Sequence, residues 1–235
     1  MSGLEAFCPK GMLHEGWSAQ VDDYAIVCSW ALQGKTFLVG DVAGGLYSFE
    51  GKSGKLIWQT KDIHQGGLLA MSIHPDGKTF ATAGQDGHVC IWDSKEGKLT
   101  QSLELGKGWV ENIKWSPDGK FLAVVFTKYV YVFDEKGREY WRSGQHPSTV
   151  SAIAWSNSNE LATACYGQVT FYDVIGDNVN QKLEWRGSLV SMVLSPDGDI
   201  VACGSQDNSV HFWRRSTNQD SEMTGYPGKP SHLAF

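Results

Sequence analysis

The strongest constraint in this sequence is a beat of about forty residues, the range of periods that marks repeat architectures. An apolar residue standing just before a turn recurs at Trp30, Ile73, Trp115, Trp155, Leu194 and Phe235, spaced 43, 42, 40, 39 and 41 residues apart. Four residues after each of the first five comes a turn residue: Gly34, Gly77, Gly119, Asn159 and Gly198. "HPDG" is spelled in full at His74–Gly77, and "SPDG" at Ser116–Gly119 and Ser195–Gly198. Proline presets φ for the first corner of a tight turn, and Asp-Gly supplies the left-handed position that closes it. A third series, Phe49, Trp92, Phe133, Tyr172 and Trp213, marks the end of a later strand in each unit.

Within each unit the apolar pattern alternates on a two-residue period, as in "TFATAG", "HVCIWD", "VYVFD" and "VTFYD". β-Branched and aromatic residues at that period predict strands. For the second unit they fall at Leu68–Ile73, Thr79–Ala83, His88–Trp92 and Leu99–Leu105, and no stretch of the chain sustains helical spacing. The predicted fold is therefore all-β: a β-propeller of four-stranded antiparallel blades, in which each blade buries its faces against its neighbours.

The triplet "IWD" at Ile91–Asp93 carries a resemblance to the WD-repeat family. In that family a His in the loop entering a blade, a Ser or Thr on the second strand, an Asp in the next turn and the Trp of the third strand share one hydrogen-bond network. The matching positions here are His64, Thr82, Asp86 and Trp92, so the resemblance implies a complete structural network in the second blade. The fourth unit keeps His146 and Thr163, is one residue short in the turn, and has Tyr166 near the Asp position and Tyr172 for Trp. The fifth keeps Asp207 and Trp213 but has Cys203 for the hydroxyl, and units one and three lack the set almost entirely.

Five complete WD-type blades are predicted across 24–229, at about 24–62, 63–105, 106–145, 146–186 and 187–229, with partial blades at both ends. Residues 1–23 form an N-terminal segment whose Trp17–Val21 is a candidate ring-closing outer strand, because "HEGWSAQVDD" resembles "LIWQTKDIH" ahead of the second blade. Residues 230–235 read as the first strand of a truncated sixth blade. The chain is thus expected to be a fragment of a longer ring, with an exposed blade edge that favours self-association.

Composition narrows the function. A net charge of −6 and a pI near 5.6 argue against a broad electrostatic footprint for nucleic acid or an anionic membrane. The longest apolar run, Phe121–Phe126, falls far short of the roughly 20 residues of a membrane helix. The N-terminus has no basic start followed by an apolar run, so a cytoplasmic protein is expected. Five cysteines (Cys8, Cys28, Cys90, Cys165, Cys203) include no C-x-x-C pair, which suits reduced thiols. The seven histidines show no metal-ligand spacing, and neither a nucleophile elbow nor a phosphate loop is present. No catalytic residue, metal or cofactor is expected, and the chain reads as a non-enzyme.

What remains is a protein-protein interaction scaffold. The resemblance places the loops entering each blade and the turns between its second and third strands on one face. That face would carry Gln85, Lys107, Trp109, Lys128, Tyr166, Trp185, Arg186 and Gln206. Trp109 and Trp185 stand where sibling blades have Gly, Ser or Thr, and aromatic and Arg side chains are typical interface anchors. The competing reading is that these aromatics fill gaps between blades. A protein or peptide partner is expected, an acidic segment being favoured by Lys107 and Lys128. The alternative function is a quinone- and calcium-binding oxidoreductase, because "LYSFEGKSGKLIWQT" at Leu46–Thr60 also resembles a quinoprotein-propeller repeat.

Overall fold

The computed structural model describes residues 16–235; Cys8 and the first fifteen residues of the predicted N-terminal segment lie outside the described residues. Blade 1 is built from β1 (Ala25–Ala31), β2 (Thr36–Asp41), β3 (Leu46–Glu50) and β4 (Leu56–Thr60). Blade 2 is built from β5 (Leu68–Ile73), β6 (Thr79–Gly84), β7 (His88–Asp93) and β8 (Leu99–Glu104), each within one residue of the strands expected there. Blade 3 is β9 (Val110–Trp115), β10 (Phe121–Phe126), β11 (Tyr129–Asp134) and β12 (Glu139–Arg142). All three are antiparallel sheets with strands in chain order.

Blades 4 and 5 differ in being continuous. They comprise β13 (Ala152–Trp155), β14 (Glu160–Asp173), β15 (Asn178–Leu194), β16 (Ile200–Ser205), β17 (Val210–Arg214) and β18 (Gln219–Met223) in one six-membered sheet. The short turn noted in the sequence explains half of this. At Tyr166-Gly167, where Gly167 has φ +84, β14 folds back on itself, so Thr163 Oγ1 reaches Thr170 O and Val174 N–H reaches Asn159 O. The other half is the connection after Glu184, so short that β15 serves as outer strand of blade 4 (to Glu184) and inner strand of blade 5 (from Leu189).

Neighbouring inner strands contact in the order β1, β5, β9, β13, β15, which sets the blades around an axis. The second strands are sandwiched between blades. β6 and β10 are buried on both faces, which is why they read as unbroken apolar runs, whereas the outer strands β4 and β8 are largely exposed. Fully buried Phe80 lies 6.2 Å from both Trp58 and Trp92, at the centre of the blade 1–2 interface.

One outer-strand position joins each blade to the next. Trp58 Nε1 donates to Ser94 O at 3.2 Å, Gln101 Nε2 to Lys136 O at 3.1 Å, Trp141 Nε1 to Asp177 Oδ1 at 2.7 Å and Gln181 Nε2 to Arg215 O at 3.4 Å. Each target lies in the turn between strands three and four of the following blade. Gly97 is required at one such contact: its φ is +65, and a Cβ there would stand 2.6 Å from the Trp58 ring. The stretch that resembled a quinoprotein repeat therefore makes a contact repeated around the whole arc.

Trp17 makes the same contact on blade 1, donating to Gly51 O at 2.9 Å and lying 6.0 Å from both Phe37 and Phe49. Yet Trp17–Val21 carries no ladder, and neither does 230–235, where Pro230 O accepts from Ser191 Oγ over the free face of blade 5. Neither segment meets a strand among the described residues that could pair with it. Beyond the Trp17 contact, Ile26, Cys28 and Trp30 remain exposed along one face of β1, as does Tyr24 just before it, at positions that the preceding blade covers elsewhere.

Candidate functional site

In blade 2 the four polar residues named above meet in one chain. Trp92 Nε1–H donates to Thr82 Oγ1 at 2.9 Å, Thr82 lies 3.0 Å from His64 Nε2, and His64 Nδ1 lies 3.0 Å from Asp86 Oδ1. With the Trp proton spent on Thr82, the hydroxyl donates to Nε2, so His64 is neutral with its proton on Nδ1, donated to Asp86. Burial lowers the His64 pKa, more strongly than Asp86 raises it. For Asp86 burial is also the largest single influence and acts upward, but His64 and the backbone N–H groups of His88 and Gln65 together hold its carboxyl below the ordinary value. The network ties the loop entering blade 2 to the turn between β6 and β7.

Blade 4 shows what happens without the Asp. His146 is buried, its Nε2 has no hydrogen-bond partner, and Tyr172 meets its ring edge-on at 5.9 Å. Burial, helped by nearby Lys182, brings its pKa down to about 4. Unfolded, this imidazole takes up its proton near its ordinary value of 6.5. The stability held by neutral His146 is therefore complete above that pH and is lost as pH falls from 6.5 towards 4. The thermal midpoint is expected to fall across that window, and His146→Gln to flatten the fall; an unchanged pH profile in the variant would remove His146 as its source.

The loops entering blades and the turns between second and third strands do share one end of the arc. Ile63 N–H donates to Gly44 O, Gln85 N–H to Gly67 O, Leu105 N–H to Gly87 O, His146 N–H to Lys128 O and Gln206 N–H to Ser188 O. On this end Tyr166, Trp185 and Arg186 line one cleft of about 670 Å³ with Gly167 and Glu184. It opens where the connection after Glu184 is too short to fill the space that longer loops occupy elsewhere. Gln85 lines a separate cleft with Asp86, His88 and Gln65. Lys107, Trp109, Lys128 and Gln206 stand outside both, exposed on the same end. Lys128 Nζ reaches Pro147 O at 3.4 Å.

The predicted anchors divide. Trp109 is 53% exposed and Tyr166 59%, whereas Trp185 is half-buried and its ring stacks on His211 at 3.8 Å. His211 is 1% exposed, meets Trp213 at 4.2 Å, and has Asp220 Oδ2 3.3 Å from Nε2 without an aligned hydrogen bond. For Trp185 the gap-filling reading describes its place; for Trp109 it does not. Sequence reasoning missed His211, whose only signal is a His two residues before the strand-ending Trp, where blade 2 has Cys90.

Residues 56–93 and 180–214 match the WD domain, G-beta repeat family. The chain carries WD40 repeats. The two matched WD40 stretches run across blades 1–2 and 4–5, including the blade with the complete network. Over 224 residues, 92% of its length, the chain is 25% identical to actin-interacting protein 1 of Caenorhabditis elegans, covering 36% of that protein. It is 29% identical over 148 residues to cell division cycle 20.1, cofactor of APC complex, of Arabidopsis thaliana, covering 59% of this chain and 32% of the relative. It is 27% identical over 175 residues to the 77 kDa echinoderm microtubule-associated protein of Lytechinus variegatus, covering 68% and 26%. The chain thus spans between 26% and 36% of the length of these curated relatives. Its fold is shared with a chain of the mitotic checkpoint complex, at a TM-score of 0.77 and 19% identity over 89% of this chain and 67% of that one. Among the described residues no helix is long and apolar enough to cross a membrane.

Proposed function

We propose that this WD40 chain is a non-catalytic scaffold that binds a protein or peptide partner on the face of the entering loops. The observation that carries the reading is the exposure of Trp109 and Tyr166 on that face, beside a cleft rimmed by Arg186. Large aromatics that the scaffold leaves in water, together with Arg, are what interface anchors are made of. Relatives named for actin, for the APC complex and for microtubules support a binding role of this kind. An acidic segment is the favoured ligand class. Lys107, Lys128 and Arg186 present cations to it, and Glu184 in the cleft directs its carboxylates to the Arg186 side.

The test uses a partner captured from the native host and then purified. Trp109→Ala and Tyr166→Ala are each expected to weaken binding at least about tenfold, roughly 1.4 kcal/mol. Lys128→Ala should act mainly on association at low salt. Trp185→Ala should lower the melting temperature as well, because it unseats the ring stacked on His211. Normal affinity in a folded Trp109→Ala/Tyr166→Ala double variant would remove this face from consideration.

A further inference from the structure

The opposite end of the arc, where the "PDG" turns lie, plays no part in that reading. Three turns from blades 1 and 2 converge there. Leu32 N–H donates to Gly77 O at 3.0 Å, which pins the β1–β2 turn to the β5–β6 turn, and Ser94 N–H donates to Lys78 O at 2.7 Å, which pins the latter to the β7–β8 turn. The approach is close enough that a Cβ on Gly77 would stand 3.1 Å from Leu32 N. Leu32 and Gln33 pass through the left-handed region, with φ 49 and 58, ahead of Gly34 at 78. Non-glycine residues rarely stand there, and a pair held so by neighbouring turns is typical of a shaped surface.

The result is a pocket of about 370 Å³ lined by Leu32, Gln33, Lys35, Asp76, Lys78 and Lys95. Its three lysines are exposed, and among the described residues none of their ammonium groups makes an ion pair, whereas Lys61 and Lys120 each do. The nearby carboxylates are engaged in the turns. Asp76 accepts from the Lys78 and Thr79 N–H groups while its own N–H donates to His74 Nδ1, and Asp93 accepts from the Lys95 and Glu96 N–H groups. Glu96 is the one exposed acid beside Lys95 in the chain. Three free cations around a half-buried Leu complement a chain of negative charge bearing an apolar side chain, because aliphatic Lys stems extend an apolar floor while their heads stay charged.

We infer that the pocket formed by Leu32, Lys35, Lys78 and Lys95 is a second docking site, on the face opposite the entering loops, for an acidic peptide segment that seats one apolar side chain beside Leu32. The probe is a fluorescein-labelled peptide of glutamates flanking a central leucine, followed by anisotropy. Saturable binding to the wild-type chain is expected. The charge reversal Lys35→Glu/Lys78→Glu/Lys95→Glu should weaken it at least about tenfold, and raised salt should weaken the wild-type interaction in the same direction. Leu32→Asn keeps a residue that tolerates the left-handed turn and should also lower affinity, as should glycine for leucine in the peptide. Because the entering-loop face is proposed to take an acidic segment too, the titrations are repeated in a Trp109→Ala/Tyr166→Ala background, where saturable binding should persist and the triple charge reversal should still weaken it at least about tenfold. In that background, equal binding with and without the triple charge reversal, absence of saturable binding, or binding only to phosphatidylserine vesicles and not to the peptide would each overturn the assignment.

Discussion

Phe171→Ala is expected to destabilise the fold by about 3–5 kcal/mol, the range for deleting a fully buried aromatic side chain. Phe171 is 0% exposed and packs with Ala162, Leu183, Val201 and Trp213 in the interface between blades 4 and 5. The Arg215 guanidinium lies 3.6 Å above its ring. That guanidinium also holds Glu160 with two 3.0 Å contacts, Gln181 Oε1 at 2.9 Å and Gly198 O at 3.1 Å, so it joins blade 4 to blade 5 through several groups at once. Removing the ring leaves a cavity and takes the cation's apolar support with it. Urea unfolding followed by Trp fluorescence measures the change; a loss below about 0.5 kcal/mol, within the range of surface substitutions, would show that the interface closes over the gap. Phe171→Leu should retain most of the stability.

His64→Ala is the second large effect, about 2–4 kcal/mol, combining a buried void with broken hydrogen bonds. Thr82, itself 0% exposed, loses the acceptor for its hydroxyl proton, and Asp86 loses the one side-chain donor that offsets its burial. Trp92→Phe keeps the ring against Phe80 but deletes the indole donor to Thr82, so a smaller loss of about 1–2 kcal/mol is expected. If the two variants proved equally costly, the contribution would lie in packing and not in the network. Both should retain partner binding when folded, since their atoms lie beneath the surface.

The sequence was most informative where local rules repeat. The "PDG" turns, the alternating strands and the forty-residue beat are each set by nearest neighbours: proline presets φ, Gly77 and Gly119 sit at φ +68 and +77, and alternation decides which side chains face the next blade. Because every unit repeats them, an error in one blade is corrected by the others, and the strands of blade 2 were legible to within a residue. The missing residue at Tyr166-Gly167 was legible as a departure, but its consequence, a β14 continuous through the turn, was not.

The candidate site was less legible, and Trp109 and Trp185 show why. Both are tryptophans in connections between blades, and each stands where siblings have small residues. One is open to water and the other stacks on His211, a residue 26 positions further along on a different strand. Which outcome holds depends on how much room the neighbouring blade leaves, and no local pattern encodes that. The free lysines are the same case: Lys35, Lys78 and Lys95 read singly as solvated surface, and only the backbone hydrogen bonds between three turns bring them to one pocket. The sequence by itself determined the all-β repeat, the position of the turns and the polar set of blade 2, because period and turn chemistry are short-range properties. Only the tertiary structure decided which aromatic side chains stay in water, which cations lack a counter-charge and where the blades leave a cleft, because those depend on distances between segments well separated in the sequence.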